Sequence, residues 1–188
     1  MAKRAYILLA HGFEEVEALT PADYLRRAGA ETELIAVEDL KTIGSHAVAV
    51  TADRLLDGAL LRESLPDLIV IPGGLKGSRA IAASEYARKL TKKVYEAGGL
   101  VGAICAAPAL ALGSWGMLEG KSFTCYPNME RDFDGADKAR FISERVVNSD
   151  SIITARGAGA AEEFSFALIG ALFGEEAALA VKEAVVAR

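Results

Sequence analysis

Gly98-Gly-Leu-Val-Gly-Ala-Ile-Cys-Ala-Ala-Pro-Ala-Leu-Ala-Leu112 is the stretch that decides how the chain folds. Leu100 to Ile104 is a short apolar run behind two glycines, the pattern of a parallel strand buried on both faces. Cys105 follows without a spacer, and Ala106 to Leu112 is small-residue sequence compatible with a helix. A nucleophile between a strand and a helix sits on a tight turn that aims it off the sheet edge. Ala103, Ala106 and Ala107 leave room for such a turn. A helix starting there would direct its free N–H groups and dipole at the sulfur, which predicts a thiol shifted toward thiolate. The plainer alternative is that Cys105 is a small buried hydrophobe, and this stretch alone leaves both readings open.

Outward from that strand, the chain alternates between strand and helix patterns. Ala5 to Ala10 reads as a first buried strand, His11-Gly12-Phe13 as a turn, and Glu14 to Ala28 as a helix interrupted or kinked at Pro21. Thr32 to Val37 is a second strand. Lys41 to Thr51 reads as a β-hairpin turning at Gly44-Ser45. Asp53 to Leu65 is a leucine-rich connector without a clear period. Pro66 to Pro72 is a strand closed by Gly73-Gly74, and Ser84 caps a helix running to Ala97. Beyond Leu112, Ser122 to Tyr126, Phe141 to Val147 and Ser151 to Ala155 read as strands, the last two around an Asn148-Ser-Asp150 turn. Helices follow from Arg156-Gly-Ala-Gly159 to about Leu172 and from Glu175 to Val186. With no linker, repeat or low-complexity segment, residues 1–188 read as one α/β domain, a mostly parallel sheet between helical layers.

Composition narrows the classes of function. The chain is 52% hydrophobic and 25% charged, with net charge −5. No basic block points to nucleic acid or an anionic membrane surface. No apolar stretch approaches the ~20 residues of a membrane span. The first apolar run is too short for a signal-peptide core, so a cytoplasmic location is expected. Two cysteines do not make a disulfide framework in a chain of 188 residues.

In a parallel sheet the ligand site lies beyond the C-terminal strand ends. That rim gathers His11 to Glu15, Gly73-Gly74, Cys105-Ala106, Cys125-Tyr126 and Arg156-Gly157. Glu14, Glu15 and Glu17 occupy the first turn of a helix, where acids complement the dipole without further role. Glu17 shares a face with Glu14 and lies between apolar neighbours. A carboxyl held beside a sulfur and away from water is driven toward its protonated form and can move protons. Gly73 and Gly74 allow close backbone approach, and with the Ala106 N–H they would make an oxyanion hole; the alternative is a simple tight turn. Gly157 and Gly159 complete no nucleotide-binding pattern. His11 and His46 read as turn and hairpin residues, and neither has a partner at metal-ligand spacing, so no metal is expected. Cys125 is a further candidate, as a resolving thiol for an oxidised Cys105.

His11-Gly-Phe-Glu-Glu-Val-Glu-Ala18, Tyr24-Leu-Arg-Arg-Ala-Gly29, Ile71-Pro-Gly-Gly74, Gly102-Ala-Ile-Cys-Ala-Ala-Pro108 and Thr154-Ala-Arg-Gly-Ala-Gly159, taken in this order, resemble the ThiJ/PfpI superfamily. Within it the chain is similar to the subfamily of the human parkinsonism-associated deglycase (DJ-one), from about Arg4 to Phe173. The resemblance implies a flavodoxin-like three-layer sandwich with a small added hairpin. It implies a homodimer with the Glu15 helix region and Arg27 near the interface. It implies Cys105 as the oxidation-prone nucleophile, Glu17 as the protonated carboxyl beside it, and Gly74 and Ala106 as oxyanion-site backbone. The implied activity is a cofactor-independent glyoxalase or deglycase acting on methylglyoxal-type dicarbonyls or their early glycation adducts. A redox-sensing chaperone whose Cys105 becomes a sulfinate, or a hydrolase or hydratase of the wider superfamily, are the alternatives. The human relative has His where this chain has Tyr126, which removes a Cys–His dyad and leaves Glu17 as the main proton-transfer group. It has Arg at the position of His46, and peptidase relatives have His where Ala106 stands, which argues against proteolysis.

Overall fold

The computed structural model describes residues 2–187; positions 1 and 188, the ends of the expected domain, lie outside the described residues. Seven strands form the main sheet. They are β1 (Arg4–Leu9), β2 (Glu31–Ala36), β5 (Arg54–Leu55), β6 (Leu68–Ile71), β7 (Leu100–Ile104), β10 (Val146–Ser149) and β11 (Ile152–Ala155), with β3 (Lys41–Ile43), β4 (Ala49–Thr51), β8 (Ser122–Phe123) and β9 (Arg140–Phe141) outside it. Spatial order is β10-β11-β7-β6-β1-β2-β5, and every neighbouring pair is parallel except β10 with β11. The chain enters at the centre, builds outward through β2 and β5, then returns to build the other side from β6. The switch between the two directions lies between β1 and β6, where α/β sheets open a crevice at their C-terminal edge.

Alternation along each strand divides the apolar side chains between two helical layers. Tyr6, Leu8, Ile69, Ile71, Val101 and Ala103 pack on one face with Ile81 of helix α2 (Leu75–Ala83) and Leu90 and Val94 of helix α3 (Glu85–Glu96). Ala5, Ile7, Leu9, Leu68, Val70 and Ile104 pack on the other with α1 (Glu15–Arg27), α4 (Ala161–Phe173) and α5 (Glu175–Ala184). This is the expected flavodoxin-like three-layer sandwich. Gly102 of β7 lets α4 approach closely, because a Cβ there would lie 2.8 Å from Leu168 and 2.9 Å from Phe164. Ser84 caps α3 as expected, its Oγ accepting the Ala87 N–H at 3.2 Å. α1 continues through Pro21, so the expected interruption is reduced to one missing backbone donor.

Several expectations are corrected. The hairpin β3–β4 forms, but Ala49 pairs with Ile43, so the connection is Gly44–Val48 rather than a two-residue turn. The leucine-rich connector supplies edge strand β5 and a 3₁₀ turn at Leu60–Arg62. Ser122 to Tyr126 is extended only at Ser122–Phe123 and pairs with β9 instead of the main sheet. The expected strand Phe141 to Val147 is two short strands, β9 and part of β10, and the β10–β11 turn centres on Asp150, with φ +54°. Helix α2, between Gly74 and Ser84, is absent from the sequence reading altogether. Ala106 to Leu112 is helical, but wound wider than expected: Leu110 N–H donates to the Ala106 carbonyl at 3.0 Å, and Pro108–Gly113 is a π-type segment.

Candidate active site

Parallel register brings three strand ends to one rim. Ile71 sits opposite Ala103, and Ile104 opposite Ala155, so β6, β7 and β11 finish level with one another. The loops beyond them are tied together by backbone bonds. Glu14 N–H donates to the Gly73 carbonyl at 3.0 Å, Cys105 N–H to Ala155 at 2.9 Å, and Tyr126 N–H to the Cys105 carbonyl at 2.7 Å.

Cys105 has φ +65°, the left-handed region that a residue with a Cβ enters at a cost of roughly 1–2 kcal/mol. The strain is local to the tight turn that swings the side chain out of the sheet plane. The thiol is partly exposed, while its backbone is held by the two bonds just described. Glu17 is fully buried on α1, one residue before Ala18 of the core face. Its Oε2 accepts the Gly73 N–H at 2.8 Å, and its Oε1 has no hydrogen-bond partner in the protein. A Cβ on Gly73 would overlap both Glu17 Oε2 and the Cys105 Cβ and lie 3.0 Å from Sγ, so glycine is required for carboxyl and thiol to share that space. Gly74, with φ +81°, is equally constrained, since a Cβ there would strike the Gly12 carbonyl.

Burial pushes the Glu17 carboxyl up to about 7, against the opposing pull of the Gly73 N–H and the thiol. Burial, and then the negative charge of Glu17, push the Cys105 thiol up to about 12, against the Gly74 and Ala106 N–H groups that point at the sulfur. The expectation of a thiol lowered toward thiolate is therefore corrected: the Gly74 and Ala106 N–H groups pull it down, but burial and the Glu17 charge outweigh them. The two groups act as a pair. An ionised Glu17 holds the thiol protonated, and a neutral Glu17 removes that repulsion and offers an O–H to the sulfur. Gly73 stands apart from the other two: its N–H is committed to Glu17, which leaves the Gly74 and Ala106 N–H groups facing the sulfur.

The thiol opens into a cavity of about 520 Å³ lined by Glu14, Gly74, Leu75, Arg79, Cys105, Ala106, Tyr126 and the segment 127–129, with Asp132 at its edge. Tyr126 is 52% exposed, a wall of the cleft rather than a buried partner of the sulfur. A larger hollow of about 630 Å³ beside residues 130–141 contains no nucleophile. Glu15 is not the exposed acid its position suggests. It is buried and accepts the His46 N–H at 2.8 Å and the Val48 N–H at 3.3 Å. His46 lies 3.1 Å from Glu15 Oε2 and 3.3 Å from Glu14 Oε1, so these three side chains bind the hairpin to α1. His11 contacts Asp39 and accepts the Ile43 N–H, again holding the hairpin. Cys125 is fully buried and packs on the sheet face opposite the one Cys105 packs against. Leu75, Arg79, Asn128, Met129 and Asp132 were not anticipated; the buried face of α2 is Gly77, Ser78 and Ile81, which offers a single large apolar side chain as a signal.

Residues 3–171 match the model of the DJ-1/PfpI family. Protein DJ-1 homolog B of Arabidopsis thaliana is 40% identical over 99% of this chain, which spans only 42% of that relative. The glutathione-independent glyoxalase DJR-1.2 of Caenorhabditis elegans is 30% identical over 93% of this chain and 91% of its own. An oxidized DJ-1 of Toxoplasma gondii superposes with TM-score 0.91 at 34% identity, covering 99% of both chains. With that family model spanning residues 3–171 of its length, the chain belongs to the DJ-1/PfpI family.

Proposed function

We propose that the chain is a cofactor-independent glyoxalase that converts methylglyoxal-type 2-oxoaldehydes to hydroxy acids, and that it acts as a deglycase on their early adducts. The supporting observation is the buried Glu17 carboxyl, half-titrated near neutrality and set against a partly exposed thiol in a small cleft. A group with its midpoint near working pH both takes and returns protons efficiently.

The steps follow from that pair. Glu17 carboxylate takes the thiol proton as Cys105 Sγ bonds to the aldehyde carbon, and the carbonyl electron pair moves to oxygen. Gly74 and Ala106 N–H groups hold the developing oxyanion, which then receives the proton from Glu17 to give a hemithioacetal. Glu17 next removes the C1 proton, giving an enediolate, and returns it to C2 while the C1 hydroxyl proton passes to the C2 oxygen. The product is an S-lactoyl thioester on Cys105. Water hydrolyses it, releasing lactate and the thiol; the sum is methylglyoxal plus water to lactic acid, without net oxidation. Purified protein given methylglyoxal should form lactate, and Cys105→Ala should reduce this to the uncatalysed rate. Lactate formation persisting in that variant ends the covalent reading.

A second reading is favoured by the unpartnered Glu17 Oε1. A protonated carboxyl there would donate to a sulfinate formed on Cys105 by two equivalents of peroxide. Selective sulfinate formation with negligible lactate would make oxidation sensing the main role. The hydrolase reading loses ground, because neither histidine lines the cleft. We also assign the α1 face around Val16, which is 47% exposed, to a homodimer contact, checked by sedimentation velocity.

A further inference from the structure

We propose that Arg79 makes the Cys105 cleft selective for 2-oxoaldehydes carrying a phosphate or carboxylate group. Arg79 lies one helical turn beyond Leu75 on α2, and both residues line the cavity that holds Cys105. It is the only cationic side chain lining that cavity among the described residues. Its side chain is exposed and, among the described residues, makes no ion pair or hydrogen bond. Arg26, Arg27, Arg54, Arg88 and Arg145 differ in this respect, each being paired with a carboxylate.

Two acids share the cavity wall. Glu14 is engaged, accepting the Ser45 hydroxyl at 2.8 Å and contacting His46 at 3.3 Å. Asp132 is exposed at the edge and is the one acid left to oppose Arg79. The remaining wall is largely apolar or small, with Leu75, Ala106, Pro127 and Met129. An anion brought there meets an unpartnered planar fork of donors that suits phosphate and carboxylate oxygens, in surroundings less screened than bulk water. A neutral dicarbonyl offers that group hydrogen-bond acceptors but no charge to pair with. A substrate bonded to Cys105 at its aldehyde carbon and held by Arg79 at an anionic tail would be fixed at both ends.

The substrate class rests on the glyoxalase reading, but the anion site can be tested without it. Cys105 alkylation by iodoacetate and by iodoacetamide, followed by mass spectrometry, compares an anion with a neutral reagent of similar size. Arg79→Gln should lower the iodoacetate-to-iodoacetamide rate ratio about fivefold. Arg79→Lys should restore part of it, and Asp132→Asn should raise it. A ratio unchanged by Arg79→Gln overturns the proposal. In turnover, Arg79→Gln should raise KM for the phosphate ester of hydroxypyruvaldehyde about fivefold more than KM for methylglyoxal, with kcat nearly the same. If neither compound is turned over while the alkylation ratio still shifts, the glyoxalase reading fails and the anion site stands.

Discussion

Glu15 and Glu17 sit two residues apart on one helix, both buried, and their carboxyls are driven in opposite directions. Burial raises both. For Glu15 it is outweighed by its own backbone N–H, the His46 N–H and ring, and the Val48 N–H, which hold the carboxyl at about 2. For Glu17 one backbone donor, from Gly73, is too little, and burial holds it at about 7. Burial alone therefore does not make a proton carrier. Burial set against the donors that surround the charge decides it, and Glu17 is both the more deeply enclosed and the less well supplied. Glu15 is ionised throughout the working range and serves as an anchor for the β3–β4 hairpin, whereas Glu17 is able to change state beside the sulfur.

The largest effect expected from that difference is catalytic. Glu17→Gln keeps the shape and removes the exchangeable proton, so it should lower kcat for lactate formation by roughly 10²–10⁴-fold. Glu15→Gln should leave a folded enzyme with most of its activity. Comparable losses in the two variants would show that α1 position, not proton transfer, is what the cleft requires.

The two acids should also tilt stability in opposite directions with pH. Glu17 has a folded pKa above its unfolded value, so its contribution is complete below about pH 4.5 and is lost as pH rises through about 7. The loss is at most about 3 kcal/mol at 1.36 kcal/mol per unit. Glu15 has a folded pKa below its unfolded value, so its contribution is present above about pH 4.5 and is lost as pH falls toward about 2. Urea midpoints measured from pH 3 to 8 should show Glu17→Gln flattening the neutral side and Glu15→Gln flattening the acid side. The same slope change in both variants would contradict that balance of burial and donors.

Gly73→Ala tests the space the pair shares. Its Cβ would overlap Glu17 Oε2 and the Cys105 Cβ, so either the β6 loop shifts or the carboxyl leaves its donor. A loss of roughly 1–3 kcal/mol of stability is expected from overpacking, together with most of the activity. A variant of wild-type activity would mean that the carboxyl need not lie where it does.

Much of this arrangement was visible in the residues, and what was hidden has a physical cause. The apolar run Leu100 to Ile104 followed by Cys105 and small neighbours announced both the parallel strand and the turn. Helix α2 was hidden because Gly77 interrupts its helical signal. A Cβ at Gly77 would lie 2.8 Å from the Phe13 N, so the glycine that weakens the pattern is what lets α2 pack over the site. Arg79 was missed with it. Burial of Glu15 was hidden because its donors come from 31 and 33 residues later in the chain. The direction of the Cys105 shift depends on how much protein surrounds the sulfur, which spacing does not report. The cleft wall from Tyr126 to Asp132 has neither period and had to be seen folded.

The smallest expected effect probes whether the anchor and the proton carrier are independent. Ser45 Oγ donates at 2.8 Å to Glu14 and lies 3.1 Å from Glu15, at the point where the hairpin meets α1. Ser45→Ala removes one partner from an acid that keeps its backbone donors, so a loss of about 1 kcal/mol or less is expected in urea unfolding. Glu17 is held from the other side, by Gly73, and shares no donor with Glu15. The iodoacetamide rate at Cys105 should accordingly stay at the wild-type value. A changed rate in Ser45→Ala would mean that hairpin and thiol are coupled through α1, and that the two acids, though opposite in charge state, are parts of one electrostatic unit.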